Sequence, residues 1–363
     1  MRVLYFSRDY TPHDHRFLSA LAGTGHDVFY LRLERGPRQV EDRPVPSKIT
    51  QIQWRGGKER FHWRSLPGYL LSLKRLIRRI KPDLIHAGPI QDVGLLAALS
   101  GFKPLLIMSW GFDLMQDADR NAAYRWITRY VLRKAAVFTS DCEATREKAV
   151  NFGVPPQRTV VFPWGVDLTT FSPRSEQRSS KGHFVVLCNR SWEPRYGVDV
   201  LARAFVAVSK QRRDVDLYLV GDGSQRAHIC RILEDGGVRT RVTFAGHVAN
   251  KDLRRWYHRA DLYVSPSHVD GSSVSLLEAM ACGLPVLVSD IPANKEWVTE
   301  GENGWLFCDG DANHLAEKIL AAIAQWETLP RVGQSSRRVA ELRADWKKNA
   351  EALMKVYRDL KGK

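Results

Sequence analysis

The 363 residues contain no long uninterrupted apolar stretch. The nearest approach, Val93 to Phe112, is broken by Gly101, Lys103 and Pro104. Helix, turn and strand is therefore the expected reading, and no membrane span is predicted. Cysteine is sparse: Cys142, Cys188, Cys230, Cys282 and Cys308 are an odd five, widely spread, with no Cys-x-x-Cys pair. That pattern suits a reducing compartment and argues against a zinc site. No signal-peptide pattern precedes the first strand, and no low-complexity tract interrupts the chain. No zinc finger, recognition helix or RNA-binding signature is present, which weighs against nucleic acid as a partner. The expectation is a globular chain of the cytoplasm.

What is present is ordinary in amount and uneven in place. Hydrophobic residues make up 44% and charged residues 26%, as in soluble proteins, and the length suits two domains, each with its own core. The formal net charge is +15. Residues 1–171 hold 26 Lys and Arg against 16 Asp and Glu, and within them residues 32–81 hold 14 against 4. The basic excess of that half is thus one patch, interleaved with Trp54, Phe61, Trp63 and Tyr69. Such a patch suits a phosphorylated substrate or the inner face of an anionic membrane. Its helix, Leu70 to Ile80, sets Lys74, Arg75, Arg78 and Arg79 against Leu71, Leu73, Leu76, Ile77 and Ile80, and also fits a helix with a merely solvated basic face.

Strands and helices alternate along the chain. Met1–Ser7 reads as a strand, Arg8–His15 as a turn, Arg16–Ala22 as a helix and Val28–Leu33 as a second strand. Asp83–His86, Leu105–Ser109 and Val137–Ser140 continue the pattern. The rhythm restarts at His183–Cys188, and Leu217–Val220, Val242–Ala245 and Asp261–Ser267 extend it. Alternation of this kind implies α/β architecture with doubly wound parallel sheets. The expected division is a first domain over 1–171, a linker over 172–182, a second domain over 183–338, and a long helix from Val339 to Leu360 within a C-terminal segment 339–363. His13, Asp14 and His15 share one early loop, where capping the next helix is favoured over holding a metal.

The most informative stretch is 270–290. Gly271, Ser272 and Ser273 form a turn that opens a helix over Val274–Ala281; Gly283 stops it, Pro285 forbids its continuation, and Val286–Val288 reads as a buried strand. Free N–H groups at such a helix entrance form an anion site. Asp270 stands before the entrance and Glu278 two turns inside, roughly 12 Å apart along a helix. A nucleotide diphospho-sugar fits that spacing; so does a plain surface helix with a capping Asp and a solvated Glu.

The stretch resembles the acid–seven residues–acid signature of the retaining glycosyltransferase family 4, with Asp270 where members usually carry Glu. The match runs through "LLEAMACGLPVLVSD" and on to "NGWLF" at Asn303–Phe307. The resemblance implies the GT-B fold, two Rossmann-like domains facing across a cleft, with a C-terminal helix crossing back to the first, acceptor-side domain. It implies transfer of a hexose-type sugar, with retained configuration, from a UDP- or GDP-linked donor to a glycan, glycolipid or small-molecule hydroxyl. On the same ground Arg190 meets the donor diphosphate. Tyr196 stands where members carry a Lys, so Arg195 is expected to supply the second cation. Asp270 positions a sugar hydroxyl, Glu278 the ribose diol, and Gly271, Ser272 and Ser273 the phosphates. Gly221, Gly223, His247 and Val248, at strand C-ends, flank the nucleobase. His15, His86, Trp110 and Asp113 are candidates for the sugar and acceptor side, Trp110 standing where many members have His. No Asp-x-Asp motif occurs at a suitable strand end, so no metal or other cofactor is expected. An epimerase or hydrolase of the same fold, or a relative that binds nucleotide sugar without turnover, are the alternatives.

Overall fold

The computed structural model describes residues 1–34, 41–58, 60–175 and 182–361. The chain forms two compact units, Met1–Trp164 with Lys348–Lys363, and Gly165–Lys347. The sequence reading divides the same chain at 171 and 339, and most of its linker, 176–181, lies outside the described residues.

The first unit runs β1 (Arg2–Arg8), α1 (Pro12–Ala22), β2 (Asp27–Leu33), β3 (Thr50–Ile52), α2 (Leu66–Ile80), β4 (Leu84–Gly88), α3 (Leu95–Leu99), β5 (Leu105–Met108), α4 (Phe112–Met115), α5 (Ala122–Lys134), β6 (Val137–Ser140), α6 (Glu143–Asn151) and β7 (Thr159–Val161). The second runs β8 (Phe184–Cys188), α7 (Val198–Gln211), β9 (Val215–Val220), α8 (Arg226–Asp235), β10 (Val242–Gly246), α9 (Asn250–Arg259), β11 (Leu262–Ser265), α10 (Val274–Ala281), β12 (Val286–Ser289), α11 (Pro292–Lys295), β13 (Gly304–Phe307), α12 (Ala312–Ala324) and α13 (Leu329–Arg343), and α14 (Trp346–Lys361) closes the chain.

The sheets are ordered β3-β2-β1-β4-β5-β6-β7 and β10-β9-β8-β11-β12-β13, and their paired strands are parallel. Each order reverses direction once, between β1 and β4 and between β8 and β11. These are the switch points of doubly wound sheets, where connections depart to opposite faces and leave a crevice beyond the strand ends. Central strands such as Phe184–Cys188 and Val286–Ser289 are buried throughout, so they read as continuous apolar runs.

Three sequence expectations move. The first helix starts at Pro12, not Arg16, because "TPHD" forms a capping box: Asp14 Oδ2 accepts the Thr11 amide at 2.8 Å and Thr11 Oγ1 accepts the Asp14 amide at 3.4 Å. The basic helix begins one turn early, at Leu66, with a proline in its first turn. The expected single helix from Val339 to Leu360 is two. Val166 binds into the gap like a strand, its amide donating to Ala344 O at 2.7 Å and its carbonyl accepting from Trp346 N at 3.1 Å. Asp345 then caps α14 by accepting the Lys347 amide at 3.0 Å.

Helix α13 packs against α10 and the turn after it at Gly333, where an added Cβ would lie 2.0 Å from Gly283 O. A helical Gly-to-Ala exchange normally stabilises by up to about 1 kcal/mol. Here overlap reverses the sign, and Gly333→Ala should cost about 1–3 kcal/mol. Gly25→Ala, with no heavy atom within 4 Å of its added Cβ, is the control expected to leave thermal unfolding nearly unchanged.

Candidate active site

The crevice between β8 and β11 is lined by the loops that leave those strands. After Cys188 the chain runs through Asn189 and Arg190 to a short 3-10 turn at Pro194–Tyr196, closed by Gly197 at φ +57°. A Cβ on Gly197 would meet Pro266 O at 2.1 Å, so only glycine lets this turn lie against the loop leaving β11. The contact is fastened by the His268 amide, which donates to Arg195 O at 2.9 Å. The segment bearing both arginines is thereby tied to the loop bearing Asp270.

Arg190 is the centre of the site. Its side chain is only 10% exposed. Nη1 donates to Ser273 Oγ at 2.6 Å and Ser275 Oγ at 2.9 Å, and Nη2 to Asp270 Oδ2 at 2.6 Å. The Tyr196 ring lies 4.3 Å from the guanidinium carbon. Nε is buried with no acceptor, an unmet donor that costs about 1–3 kcal/mol. Burial disfavours the charge, but Asp270 and, behind it, Tyr196, Tyr263 and Cys188 together outweigh that, and the guanidinium pKa is raised. Burial raises the Asp270 carboxyl too, against Arg190, Ser273, the Gly271 amide and, more weakly, Arg195.

Helix α10 points its N-terminus at this cluster, as the sequence implies, with Ser273 at the cap and Gly271 and Ser272 buried beside it. Ser272 Oγ accepts from Trp297 Nε1 at 3.1 Å. Glu278 is buried on the same helix, and Tyr257 donates to its Oε2 at 2.8 Å while accepting from Asn189 Nδ2 at 2.7 Å. Tyr263 donates to Ser275 Oγ at 2.9 Å. Sequence reasoning misses Asn189, Tyr257, Tyr263 and Ser275. Asn189 adjoins Arg190 and Tyr263 lies in the strand delivering Asp270, but tyrosines inside apolar runs look like core.

Arg195 is half-buried in the 3-10 turn, and the Tyr196 ring beside it braces Arg190. Gly221 and Gly223 come after β9, where a Cβ on Gly223 would sit 2.4 Å from Trp192 O. His247 is exposed and Val248 half-buried after β10.

The four candidates of the first unit part company. Trp110 stays at the C-terminal edge of the sheet, beside His13 at 6.1 Å and under Arg8 at 5.9 Å. Arg8 bridges the β1/β4 switch to Asp92 at 3.0 Å. His15 is held by the Tyr10 hydroxyl at 2.9 Å, and burial, then Arg43, lowers its pKa. Asp113 is fully buried: Oδ1 accepts from Ser109 Oγ at 2.6 Å and the Trp110 and Leu114 amides at 3.0 and 3.1 Å, and Oδ2 from the Ile90 amide at 3.1 Å. Burial pushes its pKa up to about 6 against those bonds. His86 is not at an open strand end but in the core, its Nδ1 2.7 Å from the Tyr357 hydroxyl and its ring between Tyr5 and Phe17. A side chain with no exposed surface touches no sugar. Asp14 is spent on its capping box and on the Tyr5 hydroxyl at 3.1 Å. Among the described residues, no three His, Cys, Asp or Glu side chains gather closely enough to hold a metal ion.

Known families match both units of this geometry. The model described as "Glycosyl transferases group 1" matches residues 182–325, and "Glycosyl transferase 4-like domain" matches residues 12–165. The chain is a group 1 glycosyltransferase. It is 28% identical over 365 residues to the lipopolysaccharide core biosynthesis mannosyltransferase LpcC of Rhizobium leguminosarum, covering 97% of this chain and 96% of that one. Sucrose-phosphate synthase of Thermosynechococcus elongatus superposes with a TM-score of 0.83 at 20% identity, covering 100% of both chains. HepE of Anabaena, solved with UDP-glucose, gives 0.78 at 19% identity, covering 99% of this chain and 100% of that one. These likenesses place the glycosyltransferase in the GT-B fold.

His86 makes the stability of this glycosyltransferase depend on pH. Burial lowers its pKa to about 3 from an unfolded value near 6.5. The stability it contributes is complete above about pH 6.5 and is lost as pH falls towards 3, about 2 kcal/mol of it by pH 5. Unfolding of the parent and of His86→Gln, compared at pH 7.5 and pH 5, should reveal that difference, since all other titrating groups are shared. Equal pH dependence in the two proteins would refute the assignment.

Proposed function

We propose that this glycosyltransferase moves a hexose-type sugar, with retained anomeric configuration and without a metal, from a nucleotide diphospho-sugar to a hydroxyl of a glycan or glycolipid. The observation that carries the reading is Arg190: a buried guanidinium with an unmet donor, at a helix N-terminus, held by two serines and an aspartate. The leaving group of such a transfer is a nucleoside diphosphate, whose growing charge suits that donor set. Arg195, one turn along, supplies a second positive charge. The UDP-glucose bound by HepE and the lipopolysaccharide named for LpcC support the donor and acceptor classes.

In this reading the bond from the anomeric carbon to the phosphate oxygen breaks while the acceptor oxygen bonds the same face of that carbon. The acceptor proton passes to the departing phosphate. Arg190 exchanges part of its contact with Asp270 for phosphate oxygen, and Asp270 turns to a sugar hydroxyl. Glu278, braced by Tyr257, takes the ribose diol. Gly221, Gly223, His247 and Val248 border the base.

Arg190→Ala should lower kcat by about 10²–10³ with a smaller effect on KM, because the charge it meets grows in the transition state. Glu278→Gln should chiefly raise KM for the donor. Steady-state kinetics separate the two, and a pure KM effect at Arg190 would remove it from the chemistry. Proton NMR of the product should show the anomeric configuration of the donor, and turnover should persist in excess EDTA. An inverted product or full loss with EDTA overturns the corresponding part.

A further inference from the structure

Four large apolar side chains are strongly exposed among the described residues, and three lie in one layer of the first unit: Trp63 at 40%, Leu71 at 52% and Trp126 at 61%. Helices α2 and α5 flank this layer. Their inner residues, Tyr69, Leu73, Leu76 and Ile80 on α2 and Val131 and Leu132 on α5, enter the same core, so both helices cover the same face of the seven-stranded sheet. The short α3 lies between them, touching both, with Leu95 to Ala98 buried. At their N-termini the rings of Trp63 and Tyr124 stand 6.4 Å apart.

The outward faces repeat one pattern. On α2, Leu71, Lys74, Arg75 and Arg78 stand at helical positions i, i+3, i+4 and i+7; on α5, Trp126, Arg129, Tyr130 and Arg133 do the same. Each helix carries four basic residues and no acidic one. Trp126 is stacked on Tyr130 at 5.4 Å, and the Lys134 ammonium lies 5.7 Å from the Tyr130 ring.

We propose that the α2–α5 face docks on an anionic lipid bilayer, with Trp63, Leu71 and Trp126 entering the headgroup region and the basic side chains of both helices meeting lipid phosphates, except Arg125, which is paired with Asp119 at 3.1 Å. A nucleic acid or other soluble polyanion suits the charges but not three large apolar side chains held out in water. A bilayer interface takes both at once, because Trp and Leu gain at the headgroup boundary while Lys and Arg gain from surface potential. The four basic residues of α2, part of the basic excess at 32–81, are therefore half of a surface whose other half is α5. The docking does not rest on the donor chemistry proposed above, since it holds for whichever sugar is moved.

The test is co-sedimentation of the full chain with vesicles of phosphatidylcholine alone and with phosphatidylglycerol added. Binding is expected only with the anionic vesicles and should fall as salt rises. Arg129→Gln with Arg133→Gln should weaken it roughly tenfold or more, on the order of fivefold per charge. Leu71→Ser with Trp126→Ser should weaken it severalfold at constant charge, with thermal unfolding near the parent's, since both side chains face solvent. Equal recovery on neutral vesicles overturns the proposal. So does unchanged binding by the Leu71/Trp126 variant, which would mark the face as a general polyanion surface open to RNA.

Discussion

The second unit is organised around one buried positive charge. A guanidinium removed from water is costly unless its donors are matched, and Arg190 is matched by two hydroxyls, one carboxylate and one aromatic face, with Nε left over. The partners come from three stretches of chain: Ser273 and Ser275 from the start of α10, Asp270 from the loop after β11, Tyr196 from the turn closed by Gly197. Their convergence requires β8 and β11 to be neighbours, and that neighbour relation is what the reversal of strand order creates. Topology and electrostatics here are one constraint.

The first unit meets the same geometry with a related answer. Its reversal lies between β1 and β4, and there Arg8, at the end of β1, pairs with Asp92 beyond β4. Arg8 also lies over the rings of Trp110 and Phe112, as Arg190 lies over Tyr196. Strand C-ends at a switch point leave polar backbone facing a crevice, and a paired arginine fills it without a net buried charge. What differs is the helix dipole. Asp270 and the two serines cluster at the N-terminus of α10, where anions are favoured.

Much of this is legible in sequence where a local rule decides. The α10 boundaries follow from the Gly-Ser-Ser turn and from Gly283 and Pro285, and they stand at Val274–Ala281 as expected. The parallel sheets follow from alternation. Expectations shift where distant residues decide. Nothing around residue 344 forbids a continuous helix; Val166, far away in the chain, takes the hydrogen bonds that would have continued it. His86 reads as a strand-end residue because strand ends look alike in sequence, but Tyr357 from the C-terminal helix covers it. The expected capping role of the loop at Thr11–Asp14 holds, and the "TPHD" spacing starts the helix one turn before the apolar pattern does.

Two positions at which the resemblance departs, Tyr196 and Asp270, meet at Arg190. The Tyr196 ring lies 4.3 Å from the Arg190 guanidinium carbon and stabilises its charge. Asp270, the shorter acid, holds Arg190 at 2.6 Å while still being tied to the Gly271 amide and the Ser273 hydroxyl. A buried pair of this kind contributes little net stability, because desolvation cancels most of its attraction. Breaking it without replacement is costly, so the guanidinium is held in place. In the transfer proposed above, that asymmetry presents Arg190 to the donor phosphate as a donor set already oriented.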